Sequence, residues 1–297
     1  MPPAPIDELV DEALRRCRFP PAGTAVSCAL SGGPDSTALT LLATRAGCRV
    51  SAVHIRHGLR DDADDARSAA ETATALGAAY RVATVEIDPG PNLEARARAA
   101  RYRALPPDVL TGHTADDQAE TLLLALLRGA GTTGLSAIEP GPRHPILGLR
   151  RVETRALCLA AGLATVDDPT NADPRFRRNR VRHELLPLIA EIAERDPVPR
   201  LTRTADLLRD DDRLLDELGG ELDPTDARAL SAAPPALARR AVRRWLLVDG
   251  YAPDAAAVAR ILDVAAGRAT ACEIGGGRRI ERTAQRLHVF SQRGSNR

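Results

Sequence analysis

The stretch Ala25-Val26-Ser27-Cys28-Ala29-Leu30-Ser31-Gly32-Gly33-Pro34-Asp35-Ser36-Thr37-Ala38-Leu39 decides how this chain folds. An apolar run ends at Leu30, small and turn-forming residues follow, and a helical apolar pattern starts with Ala38, Leu41 and Leu42. That order predicts a buried strand, a tight loop and a helix. Gly32 and Gly33 let the backbone pass close to a ligand, while loop N–H groups and the helix start form an anion cradle. Ser31, Ser36 and Thr37 add hydroxyl donors. Asp35 is the odd member: a carboxylate in a phosphate cradle repels its ligand unless a cation lies between, which points to bound Mg²⁺. Ser-Gly-Gly alone does not separate a phosphate loop from an ordinary glycine-rich turn.

Outward from this loop the pattern repeats. Ile6 to Cys17 carries an apolar face at Leu9, Val10, Ala13, Leu14 and Cys17, an amphipathic helix. Val50 to Ile55 predicts a second strand that delivers His54, His57 and Arg60 at its carboxyl end, the edge where open parallel sheets bind ligands. A helix from about Asp64 to Leu76 and a strand from Tyr80 to Ile87 follow. Alternation at this spacing means a doubly wound parallel sheet of α/β class. Asn92 to Leu105 reads as a helix with Arg98, Arg101 and Tyr102 spaced to share a face.

Val109 to Gly112 predicts a short fourth strand running through His113 into a helix that ends at Arg128. Asp116, Asp117 and Glu120 crowd its first turns at i,i+3 and i,i+4 spacing. That crowding destabilises the helix unless a metal or a hydrogen-bonded helix start relieves it, and either Asp as a plain N-cap is the simplest alternative. Gly129 to Gly134 reads as a flexible loop able to close over phosphates or merely to turn the chain. Farther on, Arg175, Arg178 and Arg182 fall on one helical stripe beside Asn179, a local patch for phosphate or RNA. The texture changes near Arg195, which predicts a domain at 1–195 and a mainly helical one at 196–297, ending in short strands.

Composition narrows the function. The balance of +1 over 297 residues excludes a globally basic nucleic-acid binder, so any RNA contact is local. Five cysteines stand without metal spacing and read as small buried hydrophobes in a reducing compartment. With no signal peptide and no membrane-length apolar run, a cytoplasmic protein is expected. Aromatics are only 2%, so the core must be Leu, Val and Ala. The chain contains no lysine at all. That excludes the lysine-bearing phosphate loop and any AMP-lysine intermediate on the enzyme.

The Ser31–Ser36 run resembles the pyrophosphate loop of the PP-loop ATP pyrophosphatase superfamily, whose Rossmann-like members cut ATP between the α and β phosphates. With His54 to Arg60, Gly112 to Thr121, Arg128-Gly129 and the block from Asp168-Pro169-Thr170-Asn171 through Arg178-Asn179 to Arg182-His183 and Pro187, the chain resembles the tRNA(Ile)-lysidine synthase family, short form. A weaker block is Ala97-Arg98 with Arg101-Tyr102. The resemblance implies that ATP adenylates O2 of the wobble cytidine of tRNA(Ile) with a CAU anticodon. The ε-amine of free L-lysine then displaces AMP at C2.

By that resemblance Ser31, Gly32, Gly33, Pro34, Asp35, Ser36, His54, His57, Gly112 and His113 hold ATP, and Asp35 with Asp117 holds Mg²⁺, Asp116 staying open as the alternative. Asp35, Asp116, Asp117, Glu120, Arg128 and Arg178 are the catalytic candidates. Arg60, Arg98, Arg101, Arg175, Arg178, Asn179 and Arg182 are the tRNA-side ones, with tRNA binding shared by the C-terminal domain. Neutralising a lysine of pKa ~10.4 at pH 7 costs roughly 4.6 kcal/mol. A carboxylate from Asp116 or Glu120 is the candidate that positions the ammonium and takes its proton. Arg56, Ala63 and His144-Pro145 depart from the family pattern on the substrate side. The competing readings are another PP-loop enzyme (thiolation or amidation) and a non-catalytic ATP-binding regulatory module; a homodimer stays open.

Overall fold

The computed structural model describes residues 5–56, 63–85, 96, 100, 103–166, 173–248 and 253–291. It divides into two compact units, Met1–Asp206 and Leu207–Arg297. His57, Arg60, Arg98 and Arg101, together with the Asp168–Asn171 segment, lie outside the described residues.

The first unit is built on a parallel sheet of β1 (Ala25–Ala29), β2 (Arg49–Arg56) and β3 (Ala79–Thr84), in that order. Ala29 N–H donates to the Leu110 carbonyl (2.9 Å), whereas the next residue, Leu30, donates to Val53 of β2 (2.9 Å). Successive N–H groups point to opposite edges of a strand, so Leu110 lies on the far side of β1 from β2. The expected fourth strand is thus reduced to a single parallel bridge, Cys28 to Leu110. The order reverses at β1, and its carboxyl end faces the crevice where doubly wound sheets take ligands.

α2 (Pro34–Arg45) starts where β1's loop ends, and residues Ser36 to Ala43 are buried throughout. It packs with α1 (Ile6–Leu14) and with a later helix, Arg151–Ala160, around Leu39, Leu42, Ile146, Leu149 and Leu157. α3 (Ala63–Ala75) closes a separate cluster through Ala69 and Ala73 against Leu30 and Ala52. α4 (Ala115–Leu127) packs Ala119, Leu122 and Leu123 on Val181, Leu186 and Val198. Residues 129–134 are not an open loop: Thr132–Leu135 form a helical turn, α5, with Gly131 as N-cap. The helix Arg151–Ala160 is α6. Then come α7 (Arg177–Arg180), a π turn (Val181–Leu185), α8 (Leu186–Ala193) and α9 (Val198–Gly220), which contains the division between the units.

The second unit sets α10 (Ala227–Ala232), α11 (Pro235–Val248) and α12 (Ala255–Ala265) on an antiparallel sheet. Its strands are β4 (Ala271–Ile274), β5 (Arg278–Thr283) and β6 (Arg286–Ser291). Leu230, Leu246, Ile261, Ile280 and Leu287 fill the core between them. As the composition requires, the largest fully buried side chains are Leu, Ile and Val, together with one carboxylate, Glu120. The cysteines are free, and burial pushes the Cys17, Cys28 and Cys158 thiols up to about 12, as expected of packing residues. Among the described residues no helix is long and apolar enough to cross a membrane.

Candidate active site

The loop after β1 is held by its own hydroxyls. Ser36 Oγ accepts from Ser31 N–H (3.1 Å), lies 3.1 Å from Ser31 Oγ and donates to the Gly33 carbonyl (2.9 Å). Gly32 has φ +87°, a left-handed conformation natural to glycine. Pro34 opens α2 without an N–H to waste, which leaves the amides of Asp35 and Ser36 as orphan donors of the first turn. The Thr37 hydroxyl is fully buried without a hydrogen-bond partner. A donor stored beside a helix N-terminus suits a phosphate-bearing ligand. Gly112 belongs to this wall for a steric reason: a Cβ there would lie 2.8 Å from the carbonyl carbon and oxygen of Asp35. His54 Nδ1 donates to the Leu30 carbonyl (2.9 Å), fixing its ring at the carboxyl end of β2.

Three carboxylates meet beside this loop, each on arginine. Arg151 places Nε on Asp35 Oδ2 (3.2 Å), Nη2 on Asp117 Oδ1 (3.0 Å) and Nη1 on Glu120 Oε1 (3.1 Å). Arg178 gives Nε to Glu120 Oε2 (2.6 Å) and Nη2 to Asp117 Oδ1 (3.0 Å). Arg182 clasps Glu120 through Nε on Oε1 (2.7 Å) and Nη2 on Oε2 (3.2 Å). Three guanidinium charges thus balance Asp35, Asp117 and the fully buried Glu120. A buried charge survives only when so paired. The helix start is relieved as well, though Thr114 is the N-cap rather than either aspartate. Asp117, at N3, closes a capping box by accepting from the Thr114 N–H (2.8 Å) and Oγ1 (3.0 Å).

The titrations follow from these contacts. Burial pushes Asp35 above the ordinary carboxylate range, against the pull of Arg151 and the hydrogen bond from Thr154. Burial acts on Asp117 too, but Arg151 and Arg178 outweigh it and hold the group low. Arg151 and Arg178 are raised, their carboxylate partners overcoming desolvation. Asp116 has different partners: Arg150 Nε (3.0 Å) and Nη2 (3.1 Å), and the Arg151 N–H (2.8 Å). They hold it below the usual range against burial.

Arg150, Arg151 and Thr154 were not among the residues expected from sequence. The signal was present, because paired cations at a helix N-terminus oppose the helix dipole and need a local reason. The expected arginine stripe splits. Arg178 and Arg182 turn inward to carboxylates, while Arg175 is exposed on Asp173. Asn179 is buried and donates to the Asp173 carbonyl (2.9 Å). Arg128 is exposed at the C-cap of α4, about 12 Å of helix beyond Glu120. His113 lies against His144, Nδ1 to Nδ1 3.3 Å, both on Thr111 Oγ1 at 2.8 and 2.7 Å.

Sequence comparison meets this geometry directly. The PP-loop domain family matches residues 7–189, and the TilS substrate binding domain family matches 226–288. A tRNA(Ile)-lysidine synthase from Nocardia farcinica is 44% identical over 249 residues, covering 78% of each chain. The chain belongs to the tRNA(Ile)-lysidine synthase family. Another synthase of that name, from Rhodococcus erythropolis, is 44% identical over 239 residues, covering 75% of this chain and 74% of its own. A solved NH3-dependent NAD synthetase from Campylobacter jejuni is 17% identical, covering 69% of this chain and 90% of its own, with a TM-score of 0.36. The matched PP-loop region, residues 7–189, contains both the Ser31–Ser36 loop and the three carboxylates.

Among the described residues no group of three or more His, Cys, Asp and Glu is arranged to hold a metal ion by itself. That does not oppose Mg²⁺, which binds through one or two carboxylates together with substrate phosphates. Asp35 and Asp117 already converge on one cationic group, Arg151, so their chemistry fits a shared cation.

Proposed function

We propose that this chain ligates free L-lysine to C2 of the wobble cytidine in tRNA(Ile), using ATP and releasing AMP and pyrophosphate. The observation that carries the reading is the meeting of Asp35, Asp117 and Glu120 on arginines beside the Ser31–Ser36 loop. The loop amides and the Thr37 hydroxyl receive the phosphate tail, and Gly112 lets the α4 approach come close enough to wall it. Asp35 and Asp117 are the residues that would hold Mg²⁺, which supplies charge stabilisation as the α–β bond breaks. Adenylation at O2 makes C2 electrophilic; the lysine amine then forms the C2–N bond as the O2–phosphate group leaves as AMP.

Residues of this chain must orient that amine and receive its proton. Glu120 and Asp117, which share the Arg151 guanidinium, would face the ammonium, Asp117 serving the metal side and the amine side together. Asp116, tied to Arg150 and the α6 backbone, is better suited to positioning that helix than to taking a proton. Exposed Arg175 and Arg128, with the second unit, are left for the RNA backbone. Labelled lysine, ATP and unmodified tRNA(Ile) test the reading. Label entering RNA supports it; ATP binding without label or AMP release favours a regulatory module.

A further inference from the structure

Resting on that reading, the hydrogen-bond count at the amine-side carboxylates leads one step further. An ionised carboxylate offers about four acceptor positions. Asp117 has four donors: Arg151, Arg178 and two groups of Thr114. Glu120 also has four: Arg151, Arg178 and two from Arg182. An ammonium can therefore join them only by replacing a guanidinium contact.

The three arginines are not held equally. Arg182 spends two nitrogens on Glu120, and Arg178 makes the shortest contact with it (2.6 Å) while also reaching the Asp117 backbone carbonyl (3.4 Å). Arg151 gives each carboxylate a single N–H, all between 3.0 and 3.2 Å. Its removal leaves Asp117 and Glu120 with three donors apiece, charge-balanced locally by Arg178 and Arg182. It comes, moreover, from α6, whereas Arg178 belongs to α7 and Arg182 to the π turn that follows.

We propose that Arg151 is an exchangeable counter-cation: the substrate ammonium displaces its guanidinium from Asp117 and Glu120. Arg151 is thus a positioning residue that sets how tightly the amine is taken. The exchange also loosens Arg151 from Asp35, so the amine side and the phosphate loop are mechanically linked through one side chain. An arginine used only to hold the fold would, when removed, leave the affinity for lysine unchanged or weaken it.

Arg151→Met in the full-length chain tests this by a KM-against-kcat split with lysine as the varied substrate, and by the lysine-induced shift in thermal midpoint without RNA or ATP. The expected result is a lysine KM lower by about fivefold, a larger lysine-induced shift than in wild type and a reduced kcat. Arg151→Gln, which keeps a donor for Asp35, carries the same expectation should the methionine chain fail to fold. A KM unchanged or raised, with no larger shift, in a wild type that does incorporate lysine, overturns the exchange alone. A wild type that incorporates no lysine overturns the underlying reading and this one with it.

Discussion

Asp35 and Asp116 both bind Arg151, one its side chain and the other its backbone N–H, yet they respond to pH with opposite sign. Asp35 is raised by burial, so its ionised form carries a folding penalty that is present at neutral pH and disappears as pH falls below the ordinary value near 3.9. Asp35→Asn should therefore melt no lower than wild type at pH 7 by circular dichroism while turnover is abolished. A collapse in melting temperature would make Asp35 structural. Asp116 is depressed despite burial, because Arg150 and the Arg151 N–H bind its ionised form. Its stabilisation is fully present above about pH 5 and is lost as pH falls through the lowered native value. Asp116→Asn should thus be less stable than wild type at pH 7 and converge with it in acid melts as pH falls through that lowered value. Parallel curves across that window would refute the assignment.

Elements show why some of this was legible and some was not. The strand, loop and helix around Ser31–Ser36 were readable because glycine conformation, proline at the first helical position and apolar period are local properties. Arg151 was not, because its bond to Asp35 spans 116 residues and only the packing of α6 on α2 brings them together. The stripe Arg175–Arg178–Arg182 was seen but its direction was not: helical spacing gives a shared face, not what that face meets. The 109–112 strand amounts to one bridge: past Leu110 the Thr111 N–H goes to the Arg143 carbonyl, and Gly112 lies against the backbone of Asp35. Gly112→Ala should cost about 1–3 kcal/mol in denaturant unfolding, since the clash is with backbone that cannot swing away. Unchanged stability and unchanged ATP use together would contradict the close approach. In the second unit, β5 and β6 turn through Ala284 and Gln285 at φ 49° and 67°, positions that favour Asn-Gly. The double change Ala284→Asn, Gln285→Gly should stabilise this unit by about 1 kcal/mol or more, read from thermal unfolding. A loss of stability would mean the turn is set by other contacts.

At the scale of the whole molecule, a chain with 41 arginines and no lysine uses arginine for every strong cation, and the site follows from that. Arginine's planar fork can bridge carboxylates that a point charge could only approach. The α/β architecture, the loop and the carboxylate positions were legible in residue order; the pairing that neutralises the carboxylates needed three dimensions. Under the proposed function, ATP cleavage is coupled to transfer of an amine onto RNA. Its most direct test is to count, in one reaction with unmodified tRNA(Ile), AMP released against labelled lysine fixed in RNA. One AMP for each lysine, with neither appearing when any of the three substrates is omitted, is the predicted result. Stoichiometric AMP release with RNA that carries no lysine would contradict it.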